Sequence, residues 1–181
     1  KFLSYNSAQY GINKNKVFLY GESAGAIAVL HLAYASQQEI YNEMGGYNYF
    51  NNNPTLGNLD QSTHPPYRVA TYTIKGIATV AGALTRSSFL QSSEKTPVIM
   101  LHSPCDKLVN YNIGNSYWGN FNNAVPPVGV TTSCIRPMWG SKYIVDKYEQ
   151  WQQQGITVPC HKLYTGCSTH AYGNNGVYYP D

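Results

Sequence analysis

The chain has 181 residues, 43% of them hydrophobic and 12% charged, enough for one domain with a sizeable core and too apolar for a disordered segment. Its formal net charge of +3 comes without a basic run, so there is no electrostatic case for nucleic acid or an anionic membrane as a partner. No apolar run reaches bilayer-spanning length, and no signal peptide is visible.

In chain order, Lys1 to Tyr10 reads as the end of a helix, with Gly11 as its C-cap and Asn13-Lys14-Asn15 as a polar turn. Val17 to Tyr20 reads as a buried strand, Gly21-Glu22-Ser23-Ala24-Gly25 as a turn, and the apolar run through Ala26, Ile27, Val29, Leu30 and Ala33 as a helix fading near Ser36. Gly-x-Ser-x-Gly between a strand and a helix is the pattern of a nucleophile elbow. It places Ser23 in a strained conformation. Gly21 and Gly25, without Cβ atoms, let strand and helix pass close together. The first N–H groups of the helix, that of Ala24 foremost, then face the site where Ser23 attacks and negative charge develops.

Residues 37–73 form an irregular insertion rich in turn chemistry: Gly45-Gly46, Asn51-Asn52-Asn53-Pro54 and His64-Pro65-Pro66. Its aromatics Tyr41, Tyr47, Tyr49, Phe50 and Tyr67 suit either a pocket lining or a surface excursion packed on the domain. Ile74 to Ala81 reads as a strand ending at Gly82, Thr85 to Gln91 as a short helix, and Pro97 to His102 as a strand apolar on both faces. A second irregular insertion covers about 111–137. A helix follows from about Gly140 to Gln154, with Tyr143, Ile144, Lys147, Tyr148 and Trp151 on one face and Gly155 closing it. The last strand is about Thr157 to Tyr164, and Gly166 to Ala171 is the loop after it.

The four cysteines, Cys105, Cys134, Cys160 and Cys167, have no zinc-site spacing and no C-x-x-C. They read as two disulfides of a secreted or periplasmic protein, with four reduced thiols in a cytoplasmic one as the alternative. Cys105–Cys134 with Cys160–Cys167 is the favoured pairing because each closes a local loop. The 17 tyrosines and few charges also lean toward secretion. There is no phosphate loop and no cluster of metal ligands, so no metal and no organic cofactor is expected.

The GESAG turn after Val17-Phe18-Leu19-Tyr20 resembles the α/β-hydrolase superfamily, and within it the carboxylesterase-like serine esterases. The resemblance extends over most of the chain. A strand followed by His102-Ser103 and then Asp106 and Val109 is similar to the superfamily's "HG…DxxV" acid turn, with Ser103 where Gly is usual. It implies Asp106 as the catalytic acid; the plainer reading is an Asp capping its own turn. His102 supports that turn. A His in the loop after the last strand implies His170 as the general base, and Glu22 is implied as a structural residue under the elbow. The order Ser23, Asp106, His170 is that of α/β-hydrolases.

The resemblance therefore implies an α/β-hydrolase fold: a single partial domain over 1–181, its mostly parallel sheet carrying helices on both faces and its amino-terminal strands missing. The missing part includes the His-Gly-Gly-Gly loop that supplies a second oxyanion donor. Loss of one such donor costs about 100- to 1000-fold in rate. The implied activity is hydrolysis of a small-molecule carboxylic ester, carbohydrate-linked or aryl, through an acyl-enzyme. A peptidase or lipase with the same triad, or an inactive binding protein on the same fold, are the alternatives.

Overall fold

The computed structural model describes residues 1–43, 65–67, 70–106, 108–115 and 137–166. In chain order the elements are α1 (Phe2–Tyr5), α2 (Ser7–Tyr10), β1 (Val17–Glu22), α3 (Ala24–Tyr34), α4 (Gln37–Glu43), β2 (Ile74–Val80), β3 (Ala83–Leu84), β4 (Val98–Leu101), β5 (Ile113–Asn115), β6 (Pro137–Gly140), α5 (Ser141–Gln153) and β7 (His161–Tyr164). Strands β1, β2, β4 and β7 form one sheet in that order, every pair parallel. The chain is thus of the α/β class. In register, Glu22 stands beside Val80, Val80 beside Leu101, and Leu101 beside Tyr164. The carboxyl ends of all four strands are therefore flush, and the loops that follow them leave from one edge.

The core lies on one face of this sheet. Leu30 and Tyr34 of α3 meet Ile77, Val98 and Met100 of the strands and Ile144, Val145 and Tyr148 of α5. The buried positions of α5 are Ser141, Ile144, Val145 and Tyr148, the spacing that turns one stripe of a helix inward. The expected face shared Ile144 and Tyr148. Tyr143 and Trp151 instead pack from its margins, and Lys147 lies over the Tyr143 ring.

Among the described residues, the helices that pack on this core, α3 and α5, lie on that face. The opposite face exposes Phe18 (71%), Tyr20 (66%), Ile99 (49%) and Tyr164 (52%). β1, β4 and β7 alternate inward and outward residues and are half-buried, whereas the interior strand β2 is buried at the adjacent pairs Gly76-Ile77 and Thr79-Val80. Phe18 settles against its neighbour Gly76, where a Cβ would stand 3.3 Å from the ring.

Several boundaries differ from expectation for local reasons. The elbow turn is one residue long: β1 continues through Glu22 and α3 starts at Ala24. Residues 37–43 form a helix within the stretch expected to be irregular. Ser36 and Glu39 cap it reciprocally, the Glu39 N–H donating to Ser36 Oγ (3.2 Å) and the Ser36 N–H to Glu39 Oε2 (2.8 Å), a capping box written as Ser-x-x-Glu. Residues 44–64 lie outside the described set. Around Thr85 to Gln91 there is only a single tight turn, Ser87–Phe89. β7 begins at His161 rather than Thr157, since Pro159 has no N–H to give a ladder.

The stretch expected as an insertion at 111–137 holds strand residues at both ends. β5 and β3 flank β6 in a small antiparallel sheet, with Ile113 and Leu84 both paired to Trp139. Residues 116–136 lie outside the described set. No described helix is long and apolar enough to cross a membrane.

Candidate active site

Ser23 is the whole of the turn between β1 and α3, at φ 52° and ψ −118°. A non-glycine residue held at positive φ costs about 1–3 kcal/mol. Two backbone bonds hold it there: its N–H donates to the Val80 carbonyl (2.8 Å), and its carbonyl accepts from the Ile27 N–H (3.0 Å). Its hydroxyl makes no capping bond to α3. Ser23, Ala24 and Gly25 are all exposed. The Ala24 N–H, at the first position of the helix, is one of the donors that a helix leaves without an internal partner.

The two elbow glycines are not equivalent. A Cβ on Gly21 would stand 2.3 Å from the Gly25 carbonyl oxygen, whereas one on Gly25 would meet nothing within 4 Å among the described residues. The close crossing of strand and helix thus requires Gly21 alone. Glu22 is also corrected. It is exposed, because alternation along β1 turns it to the same open face as Phe18 and Tyr20, not under the elbow.

Ala81, the residue after β2, is a second non-glycine at positive φ (54°), its N–H bonded to the Leu101 carbonyl at 2.9 Å. It follows Val80, the neighbour of Glu22, so two strained residues end adjacent strands. From Ala81 the chain turns through Gly82 into β3. Gly82 lies so close to α3 that an added Cβ would come 2.9 Å from Leu30 Cδ1.

Asp106 is in the turn after β4 and is buried (9% exposed). Its Oδ1 accepts from the Leu108 N–H (2.8 Å) and the Val109 N–H (3.0 Å). One oxygen therefore does what an Asp in a turn commonly does. The other, Oδ2, is buried with no hydrogen-bond partner among the described residues. His102 Nε2 lies 3.5 Å from it. A buried carboxylate oxygen in this condition calls for a donor.

The structure therefore brings the Ser23 and Asp106 loops to the same edge of the sheet, on strands separated by β2. β7 ends at that edge too. His170, expected in the loop after β7, lies outside the described residues. Other histidines are occupied elsewhere: the His31 ring accepts from the Thr85 N–H at 3.2 Å, and His161 Nδ1 contacts the Pro159 carbonyl at 2.9 Å.

Cys105, beside Asp106, is a half-cystine whose other half lies outside the described residues. Cys160 is a free, exposed thiol, so the expected Cys160–Cys167 bridge is not formed. Among the described residues no three His, Cys, Asp or Glu side chains gather to hold a metal ion.

Two features of the site were not anticipated. Ala81 carries no mark that separates it from any other alanine at a strand end. Ser141, which contacts His102 at 2.9 Å, reads in sequence only as a serine at a helix start. Comparison of the chain with protein-family models, with curated proteins and with solved structures finds no match.

Proposed function

We propose that the chain is part of a serine hydrolase of the α/β-hydrolase type that cleaves carboxylic esters. The observation that carries this reading is Ser23: a strained single-residue turn between a parallel strand and a helix, with its hydroxyl unused for capping and the Ala24 N–H beside it. Strain of this kind persists only where the surroundings impose it, and it concentrates at functional sites. The flush carboxyl edge, where α/β sheets place their sites, and the buried Oδ2 of Asp106, which accepts no hydrogen bond within normal distance among the described residues, support the same reading.

In the proposed reaction, Ser23 Oγ attacks the ester carbonyl carbon while the imidazole of His170 takes its proton. The Ala24 N–H donates to the oxyanion. Asp106 Oδ2 accepts the other imidazole N–H and so holds the tautomer and stabilises the imidazolium. Collapse breaks the bond to the alkoxide, which leaves with the proton from His170. Water then gives its proton to His170 as it attacks the acyl group, and Ser23 recovers that proton when the acid departs. No metal or cofactor enters these steps. The proposed substrates are small carbohydrate-linked or aryl esters, and a disulfide at Cys105 fits an oxidising compartment such as the periplasm or the cell exterior.

The test is labelling with a fluorophosphonate probe, located by mass spectrometry, on the chain and its Ser23→Ala, Asp106→Asn and His170→Ala variants. Modification at Ser23 that is lost with Ser23→Ala and slowed in the other two is expected. A folded chain that takes no label, or takes it elsewhere, would overturn the proposal.

A further inference from the structure

We infer that His102 and Ser141 are positioning residues for Asp106, joined in a buried chain that ties the acid turn to the packing under the nucleophile's helix. The inference rests on the reading of Asp106 as the catalytic acid.

His102 and Ser141 are both fully buried, and the Asp106 side chain is 1% exposed. His102 Nε2 faces two groups that can only accept, the Val109 carbonyl at 3.0 Å and Asp106 Oδ2 at 3.5 Å. The hydrogen is therefore on Nε2. At the other side of the ring, Nδ1 therefore accepts from the Ser141 hydroxyl at 2.9 Å; with that one hydrogen given to the imidazole, the 3.3 Å approach of Ser141 Oγ to the Gly82 carbonyl is a packing contact rather than a second hydrogen bond. Gly82 packs against Leu30 and Ala26 of α3, the helix that opens at the elbow. A continuous path thus runs from Asp106 through His102, Ser141 and Gly82 to α3 without passing through solvent.

The acid turn is clamped from the same side by backbone. The Lys142 N–H donates to the Tyr111 carbonyl (2.9 Å) and the Gly140 N–H to the Asn112 carbonyl. A Cβ on Gly140 would stand 1.9 Å from the Asn110 carbonyl oxygen, so the closure of residues 110–112 onto the start of α5 depends on glycine there. The ring of Tyr111 meets His102 edge-on at 5.5 Å. Within this frame Asp106 has one oxygen fixed by its own turn. His102 Nε2–H attracts the other and limits its swing, so the imidazole sets where Oδ2 points.

A purely structural histidine would fill the same space, and the two roles separate by experiment. The variants are His102→Leu, His102→Gln, Ser141→Ala and Ser141→Thr, with Asp106→Asn as reference. The readouts are the rate constant of probe labelling at Ser23, its pH profile and the urea midpoint. Positioning predicts slower labelling, on the order of 100-fold for misplacement of a catalytic group, with a displaced pH profile in His102→Leu and Ser141→Ala. Ser141→Thr, which keeps the hydroxyl, and His102→Gln, which keeps an N–H, recover much of the rate. Folded Leu and Ala variants that label at the parent rate and pH profile overturn the inference while leaving the hydrolase reading intact. Unchanged labelling in Asp106→Asn removes the acid assignment itself, and the inference with it. Independently of activity, 15N-labelled imidazole is expected to show Nε2–H on His102, with a shift of Nδ1 in Ser141→Ala. An unmoved Nδ1 also overturns the inference.

Discussion

Gly21 lies directly under the carbonyl of Gly25: a Cβ on Gly21 would be 2.3 Å from that oxygen and 2.7 Å from the Ala26 nitrogen. Both atoms belong to the backbone of α3, so no rotamer change relieves the clash, and α3 must move off the sheet. Gly21→Ala is expected to cost upwards of about 3 kcal/mol, beyond ordinary overpacking. Gly25→Ala, exposed and in the first turn of a helix, is expected to be neutral or to stabilise by about 0.5–1 kcal/mol. Urea unfolding of the two variants checks the pair, and equal losses would show that the crossing is not set by Gly21.

Ser23 supplies a test of stability that is independent of chemistry. Its φ of 52° suits glycine. Ser23→Gly relieves strain worth about 1–3 kcal/mol and gives back part of it through the greater freedom of glycine in the unfolded chain. A net gain of about 1 kcal/mol is expected, with little or none for Ser23→Ala, whose Cβ keeps the strain. A gain of the same size in both variants would count against backbone strain at this residue.

Glu94 is partly buried, within electrostatic reach of Glu39 on α4. Burial pushes its carboxyl up to about 6, with the charge of Glu39 adding to the rise and Lys95 opposing it. The folded state therefore holds this proton more tightly than the unfolded state. The linked stability is full below the ordinary value of 4.5 and is lost as pH rises through about 6. Glu94→Gln is expected to raise the denaturation midpoint at pH 7 and to flatten its pH dependence between those values. Glu39→Gln keeps the capping box with Ser36, since glutamine serves there too, and is expected to lower the Glu94 titration. Midpoints measured from pH 4 to 7.5 decide both.

The cysteines are expected to differ in reactivity. Cys160 is exposed and free, and Cys105 is a half-cystine. Alkylation of the native, unreduced protein should modify Cys160 and spare Cys105 until a reductant is added. Peptide mapping reads this directly and also identifies the partner of Cys105.

What the sequence determined by itself is local. The strand from Val17, the turn at Ser23 and the helix after it occupy contiguous residues, so local propensities and glycine placement were enough to place the strand, the sharp turn and the helix. The spacing of Ile144 and Tyr148 marked the inward side of α5, although the same face was expected to take in Tyr143, Lys147 and Trp151; the capping box of Ser36 and Glu39 was missed because the residues after it are rich in turn formers. Tertiary structure decided everything that depends on which distant segments meet. Apolar residues at Phe18, Tyr20 and Ile99 do not say whether anything covers them. The pairing of Ile113 and Leu84 with Trp139 closes loops whose ends carry no recognisable complementarity. The contact between His102 and Ser141 spans 39 residues, and neither residue type requires the other. Local preference is written in neighbouring side chains, whereas long-range pairing is selected by the packing of the whole sheet and helix layer, which fixes the one arrangement that buries Leu30, Met100 and Tyr148 together.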